Sequence, residues 1–139
     1  MLKKINLQFL ISYLGILPFF IILFDKFFLF QLDANIMKDF IIFYSLIIFV
    51  FIGAINWNLK KQLSNKVIFL GFIPSLLSVF VILLFLYSYE VFLLLIFFFI
   101  FQLIFDNFIY KEKIMRITYF SLRVPLTCII VLSLIFIQL

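Results

Sequence analysis

The sequence predicts an all-α protein in one domain, residues 1–139, built as an integral membrane bundle of five transmembrane helices. Three observations predict this fold class. The composition is 68% hydrophobic and only 12% charged, about half the charged share of a soluble domain. Five apolar runs are long enough to cross a bilayer. Basic residues cluster in alternate connections between those runs, as they do in multi-pass membrane proteins.

Each predicted span meets the requirement of about 20 apolar residues for a membrane-crossing helix. The first follows Lys3 and Lys4 as a signal peptide would, but it ends at Asp25 without a small-residue cleavage site. It is therefore predicted to be a retained helix. The third and fourth spans are separated only by LYSYE (86–90), which predicts a tight hairpin. The five predicted helices are 5–24, 40–59, 67–87, 91–110 and 118–138.

The basic residues predict the orientation. Eight of them fall on one side of a five-span arrangement, and only Lys26 and Lys38 fall on the other. The positive-inside rule then puts the N-terminus in the cytoplasm and the C-terminus outside. The Phe-, Ile-, Lys- and Asn-rich composition suggests an AT-rich genome, so we expect a bacterial cytoplasmic (inner) membrane. The eight residues are Lys3, Lys4, Lys60, Lys61, Lys66, Lys111, Lys113 and Arg116.

Several function classes are disfavoured by the residues that the chain lacks. It has no histidine, so the commonest general base and metal ligand is missing. Cys128 is the one cysteine, which rules out an intrachain disulfide. Asp106 is the one carboxylate expected deep in the membrane, so two-carboxylate chemistry has no evident partner. We expect no enzyme, no cofactor and no metal. We also expect no nucleic-acid partner, because the positive-inside distribution of basic residues explains the net charge of +5.

Polar and helix-distorting residues concentrate in one leaflet of the predicted bundle. At 1.5 Å per residue, they lie within about 15 Å of the cytoplasmic boundary. The opposite halves of the spans are almost purely Leu, Ile, Phe and Val. The candidate cluster is Tyr13, Pro18, Asn56, Trp57, Pro74, Ser75, Gln102, Asp106, Arg123, Pro125 and Thr127.

Arg123 lies about 9 Å deep, at about the depth of Asp106 on the neighbouring helix. A buried arginine needs a partner, and Asp106 is the available anion, with Gln102 one turn away on the same face. Two alternatives stay open. The last helix could begin at Pro125, with Arg123 reaching back to the headgroups. If the pair forms, it is either a structural staple or a functional, ion-carrying pair.

The other members also have two readings. Pro18, Pro74 and Pro125 would free the carbonyls of Leu14, Leu70 and Ser121, which transporters use as ion ligands but which neighbouring groups usually satisfy. Gly71, Ser75 and Ser78 form a small-residue stripe, which favours close helix packing, as do Gly53 and Ala54. Trp57 beside Lys60 is typical of an interfacial anchor.

Five sequence blocks follow one another along nearly the whole chain: YLGILPF (13–19), FIGAINWNL (51–59), GFIPSLLS (71–78), FQLIFD (101–106) and YFSLRVPLTCIIVLSL (119–134). Together these blocks resemble the transmembrane protein 69 family, small bacterial membrane proteins with mitochondrial relatives in animals. The last block is the most specific. The family's second block usually has paired glycines and a His before the Trp, and Ala54 and Asn56 stand in those places in this chain. The resemblance implies a five-helix bundle in a bacterial inner membrane and supplies no function.

Short loops favour a non-enzymatic accessory or assembly protein that acts through membrane-embedded contacts. Its expected partners are the lipid bilayer, anionic headgroups and other membrane proteins, with a homo-oligomer as an open possibility. The alternative is a small transporter or channel that uses Asp106, Arg123 and the freed carbonyls. Headgroup binding by Arg123, Lys111, Lys113 and Arg116 overlaps with the first hypothesis.

Overall fold

The chain forms a helical membrane bundle in the computed structural model, which describes residues 7–54, 65–109, 116–117 and 119–138. We number the α-helices α1 to α6 and the two π-helical turns π1 and π2. In chain order the elements are α1 Leu7–Leu14, α2 Leu17–Phe24, π1 Asp25–Leu29, α3 Ala34–Ala54, α4 Asn65–Leu86, α5 Phe92–Ile109, π2 Tyr119–Arg123 and α6 Val124–Gln138.

Five helical spans within the described ranges are long and apolar enough to cross a membrane. They are Leu10–Leu29, Ala34–Ala54, Val67–Leu86, Phe92–Ile109 and Tyr119–Gln138. The described residues contain no strand. The predicted fold class, an all-α membrane protein with five spans, is therefore confirmed.

The predicted start of the second helix at residue 40 is wrong, because α3 begins at Ala34. Asp33 caps it: Oδ1 accepts from the backbone N–H groups of Asn35 at 2.8 Å and Ile36 at 3.3 Å. Lys38 is exposed in an early turn of α3, whereas the sequence analysis treated this charge as part of a connection. Residues 55–59 of the predicted helix lie outside the described residues.

The predicted first helix is broken into α1 and α2 at Gly15 and Ile16. Pro18 follows in the first turn of α2 and has no N–H to continue the α-helical ladder. The Phe19 N–H donates to the Ile16 carbonyl at 3.0 Å, one residue closer than in an α-helix. The Gly15 carbonyl instead accepts from the Tyr44 hydroxyl at 2.7 Å. A side chain of α3 thus replaces the helical bond that the break removes.

Two helices lie at the centre of the bundle. α3 packs against α4, α5 and α6, while α6 packs against α2, α3 and α5. Fully buried aromatic and aliphatic side chains fill the space between them, including Phe19, Phe49, Phe99, Leu95 and Leu134. At one end of the bundle, α4 turns into α5 at residues 87–91, which we call the hairpin end.

α3 and α4 approach each other closely at Gly53. A Cβ atom at this position would lie 2.8 Å from the Gly71 carbonyl oxygen and 2.7 Å from Pro74 Cγ. Pro74 is fully buried there. The small residues predicted on both helices therefore include the pair Gly53 and Gly71, which lets the two backbones approach.

We expect Gly53→Ala to destabilise the bundle by about 1–3 kcal/mol, because the new methyl group meets backbone that cannot rotate away. Reversible denaturation in mixed micelles measures this change. Ala54→Val adds bulk at the adjacent exposed position and serves as the control. Equal effects of the two substitutions would contradict the close crossing.

At the hairpin end, Lys26 joins the first span to the last. Its Nζ donates to the backbone carbonyls of Phe136 at 2.8 Å and Ile137 at 3.0 Å. These residues belong to the last turn of α6, where carbonyl groups have no partner within the helix. A cation at this position also interacts favourably with the helix dipole.

Lys26→Met should release the end of α6 and cost about 1–2 kcal/mol. Hydrogen exchange of the last α6 amides should accelerate first, since the loss is local. Lys38→Met removes the same charge from an exposed position of α3 and is the matched control. If Lys38→Met accelerates exchange in α6 equally, net charge and not the Lys26 contact is responsible.

Candidate functional site

Two polar side chains of α5 point into the bundle at the end opposite the hairpin. Gln102 and Asp106 are one helical turn apart and therefore share a face. Both residues are buried, and only 1% of the surface of Asp106 is exposed. The Gln102 side-chain amide donates through Nε2 to Asp106 Oδ1 at 3.0 Å. Gln102 thus satisfies one oxygen of a carboxylate that water does not reach.

Arg123 meets Asp106 from π2. Its Nε lies 3.5 Å from Asp106 Oδ2, and its Nη2 donates to the Ile52 carbonyl at 3.0 Å. Arg123 is itself buried. The predicted ion pair is therefore present, and it joins three elements, because Ile52 belongs to α3, Asp106 to α5 and Arg123 to π2.

The structure decides between the two readings of Arg123. Arg123 is the last residue of π2, which leads directly into α6, so the helical path does not begin at Pro125. Its guanidinium group is turned towards α5 and α3, whereas headgroup contact would need it turned to the bilayer boundary. Arg123 was one of the four residues expected to bind headgroups, but its side chain is engaged inside the protein. Arg116 is exposed, and Lys111 and Lys113 lie outside the described residues.

Tyrosine hydroxyls satisfy backbone carbonyls around the pair. The Tyr119 hydroxyl donates to the Leu103 carbonyl at 3.1 Å. The Tyr13 hydroxyl donates to the Ser121 carbonyl at 2.7 Å. An amide at position 125 would serve that carbonyl in an α-helix, but Pro125 has none. The carbonyl that the sequence suggested as an ion ligand therefore has a protein partner.

The remaining candidate residues lie at other junctions of the bundle. Pro18 is in the first turn of α2, after the break, and Pro74 is at the α3–α4 crossing. Ser75 is half-buried on α4, and Thr127 is buried on α6 one turn beyond Arg123. Asn56 and Trp57 lie outside the described residues. The contacts therefore unite Gln102, Asp106 and Arg123, which we call the Asp106 cluster, and Tyr13 joins π2 beside it.

Two participants in the site were not predicted from the sequence, and one buried charge at the hairpin end was also missed. The acceptor of Arg123 is a backbone carbonyl, Ile52, which no residue type reveals. Tyr119 is the first residue of the block 119–134, but nothing in its spacing distinguishes it. Asp25 is also buried, with 3% exposure, although it follows a long apolar run and looked like the end of a span.

The contacts of the Asp106 cluster are those of a structural link between helices. Both carboxylate oxygens of Asp106 and two nitrogens of Arg123 have partners in the protein. Within the described ranges, no three His, Cys, Asp or Glu side chains come together as the ligands of a metal ion would. The arrangement neutralises two charges and fixes the positions of three helical elements.

Comparison with known proteins places the chain in a family. Residues 6–139 match the family described as protein of unknown function (DUF3429). The chain belongs to this family. The match covers all five spans and the whole Asp106 cluster. No curated protein and no solved structure matches the chain significantly.

We expect removal of one member of the ion pair to destabilise this DUF3429 chain by about 3–5 kcal/mol, because the other charge is left buried and unpaired. Asp106→Leu and Arg123→Met are the single substitutions. The double substitution Asp106→Leu with Arg123→Met should be less destabilising than either, since no charge then remains. Reversible denaturation in mixed micelles completes the cycle.

Arg116→Gln is the control, since this arginine is exposed and its loss should change stability by no more than about 0.5 kcal/mol. Additive effects of the two pair substitutions would show that Asp106 and Arg123 do not stabilise each other.

Proposed function

We propose that this chain is a non-enzymatic accessory or assembly protein of a bacterial inner membrane, which acts through membrane-embedded contacts. The observation that carries the proposal is the closure of the Asp106 cluster. Asp106 is 1% exposed and has Gln102 and Arg123 as partners, so its charge is used within the bundle. A transport pathway would instead need a charged group that an ion can reach.

The lipid-facing surface supports the same proposal. α5 exposes a row of large apolar side chains, with Leu93, Phe97 and Phe108 each more than half exposed. A surface of this kind suits acyl chains or the helices of another membrane protein. The short connections of the chain leave little else for a partner to contact. The proposed partners are therefore the bilayer, its anionic headgroups and other membrane proteins, with self-association as a further possibility.

The proposed orientation puts the N-terminus in the cytoplasm and the C-terminus outside. It rests on the eight basic residues that share one side of the five spans. The Asp106 cluster would then lie in the cytoplasmic leaflet. We further propose, from the five sequence blocks, that the chain is related to the transmembrane protein 69 family.

Extraction in a lipid-preserving polymer, followed by native mass spectrometry, tests the accessory role. We expect a heterologous membrane protein to be present in fixed stoichiometry. Bulky polar substitution of the exposed α5 row, such as Phe97→Gln, should reduce that stoichiometry, whereas the matched Phe69→Gln on the exposed face of α4 should not. A lone chain or a homo-oligomer in all preparations would contradict the accessory role.

Ion flux into vesicles distinguishes the alternative. The purified chain in phosphatidylcholine vesicles should give no more flux than vesicles without protein. Flux that Asp106→Asn abolishes and Asn107→Ala retains would favour a transporter or channel instead, because Asn107 is the exposed neighbour of Asp106.

A further inference from the structure

The segment from Phe24 to Leu32, which we call the aromatic turn, holds its charged side chains inward. Asp25 is 3% exposed, and its Oδ2 accepts from the Leu32 N–H at 3.0 Å. Lys26 reaches across to the carbonyls of Phe136 and Ile137. Both charged side chains of the turn therefore form hydrogen bonds within the protein, whereas a water-exposed loop would direct them towards solvent.

The apolar side chains of the same turn point outward. Phe28 is 71% exposed and Phe30 is 76% exposed, among the highest values for large apolar side chains in the described residues. Phe24 and Phe28 stack on the surface with ring centroids 5.0 Å apart. The turn is thus apolar outside and charged inside, the reverse of a soluble loop.

The backbone of the turn is closed by internal hydrogen bonds. Phe30 adopts a left-handed conformation with φ 53° and donates its N–H to the Asp25 carbonyl at 2.8 Å. The Leu32 N–H donates to the Asp25 carboxylate. Asp25 therefore accepts two amides that a turn in contact with lipid could not leave unpaired.

The depth of the turn identifies its surroundings. The first span ends at Leu29, and the next begins at Ala34. Phe28 is the residue before the end of this span and Phe30 the residue after it. The ends of spans are the level that aromatic side chains favour in membrane proteins. A protein partner would be expected to meet a polar rim around an apolar centre, but this turn has drawn its charges inward.

We propose that the aromatic turn anchors the bundle in the interface of one leaflet, with lipid as its partner and Phe28 and Phe30 as the inserted side chains. The anchor does not depend on the proposed accessory role. A transporter with the same turn would be anchored in the same way. Lys26 and Asp25 make the anchor possible, because they remove the charges from its lipid-facing side.

Tryptophan fluorescence in vesicles tests the anchor. Phe28→Trp and Phe30→Trp are each made with Trp57→Phe, so that the new indole is the one tryptophan of the chain. The vesicles contain phosphatidylcholine brominated either near the headgroup or near the methyl end of the acyl chain. We expect blue-shifted emission, strong quenching by the shallow bromines, weaker quenching by the deep bromines and little quenching by aqueous acrylamide.

Leu76→Trp in the same background is the depth control, because Leu76 is exposed near the middle of α4. Its indole should be quenched more by the deep bromines. Phe30→Trp provides a second measurement if Phe28→Trp does not fold.

Three results would overturn the anchor. Strong acrylamide quenching without bromine quenching would place the turn in water. The same pattern as Leu76→Trp would place it in the hydrocarbon core. Protection from all quenchers would mean that protein covers the turn, and disulfide crosslinking of Phe28→Cys in a Cys128→Ala chain would then identify a second copy as the cover.

Discussion

Hydrocarbon offers no hydrogen bonds, and this constraint governs the polar groups of the bundle. The helical breaks at Gly15 and Pro125 and the buried charge of Arg123 are each satisfied by a group from a distant part of the chain. Tyr44 serves the carbonyl at the α1–α2 break, and Tyr13 serves the carbonyl opposite Pro125. Arg123 uses both Asp106 and the Ile52 carbonyl. The same contacts that satisfy polar groups also hold the helices together.

The two π-helical turns fit this constraint. A π-helical turn accommodates an additional residue and changes which side chains face the core. π1 begins with Asp25 and π2 ends with Arg123, and both side chains are buried. In each case the turn lies at the end of a span, where an inward-facing charge can reach backbone or an ion-pair partner. The irregular helix geometry thus occurs where a charge enters the protein.

Much of the fold was predictable because hydropathy reports directly on the bilayer. The third, fourth and fifth apolar runs agree closely with the spans of the structure, whereas the first span ends five residues later and the second begins six residues earlier than predicted. The depth of Asp106 and Arg123 predicted their contact. Helix ends were harder, since Lys38 looked like part of a connection and the cap at Asp33 decides the boundary. The roles of the Ile52, Ser121 and Gly15 carbonyls as acceptors could not be predicted from the sequence. Every residue has a carbonyl, and only the tertiary structure determines which one accepts.

The contact of Lys26 with the end of α6 has a consequence for biosynthesis. Lys26 enters the membrane with the first span, but its acceptors, the carbonyls of Phe136 and Ile137, are synthesised 110 and 111 residues later. Tyr13 waits similarly for Ser121, 108 residues away. Tyr13 and Lys26 therefore lack these hydrogen-bond partners while most of the chain is being translated. The first helices can make their final contacts only after nearly the whole chain has been synthesised. A nascent chain that stalls before α6 would therefore lack the backbone carbonyls that Lys26 contacts in the folded bundle.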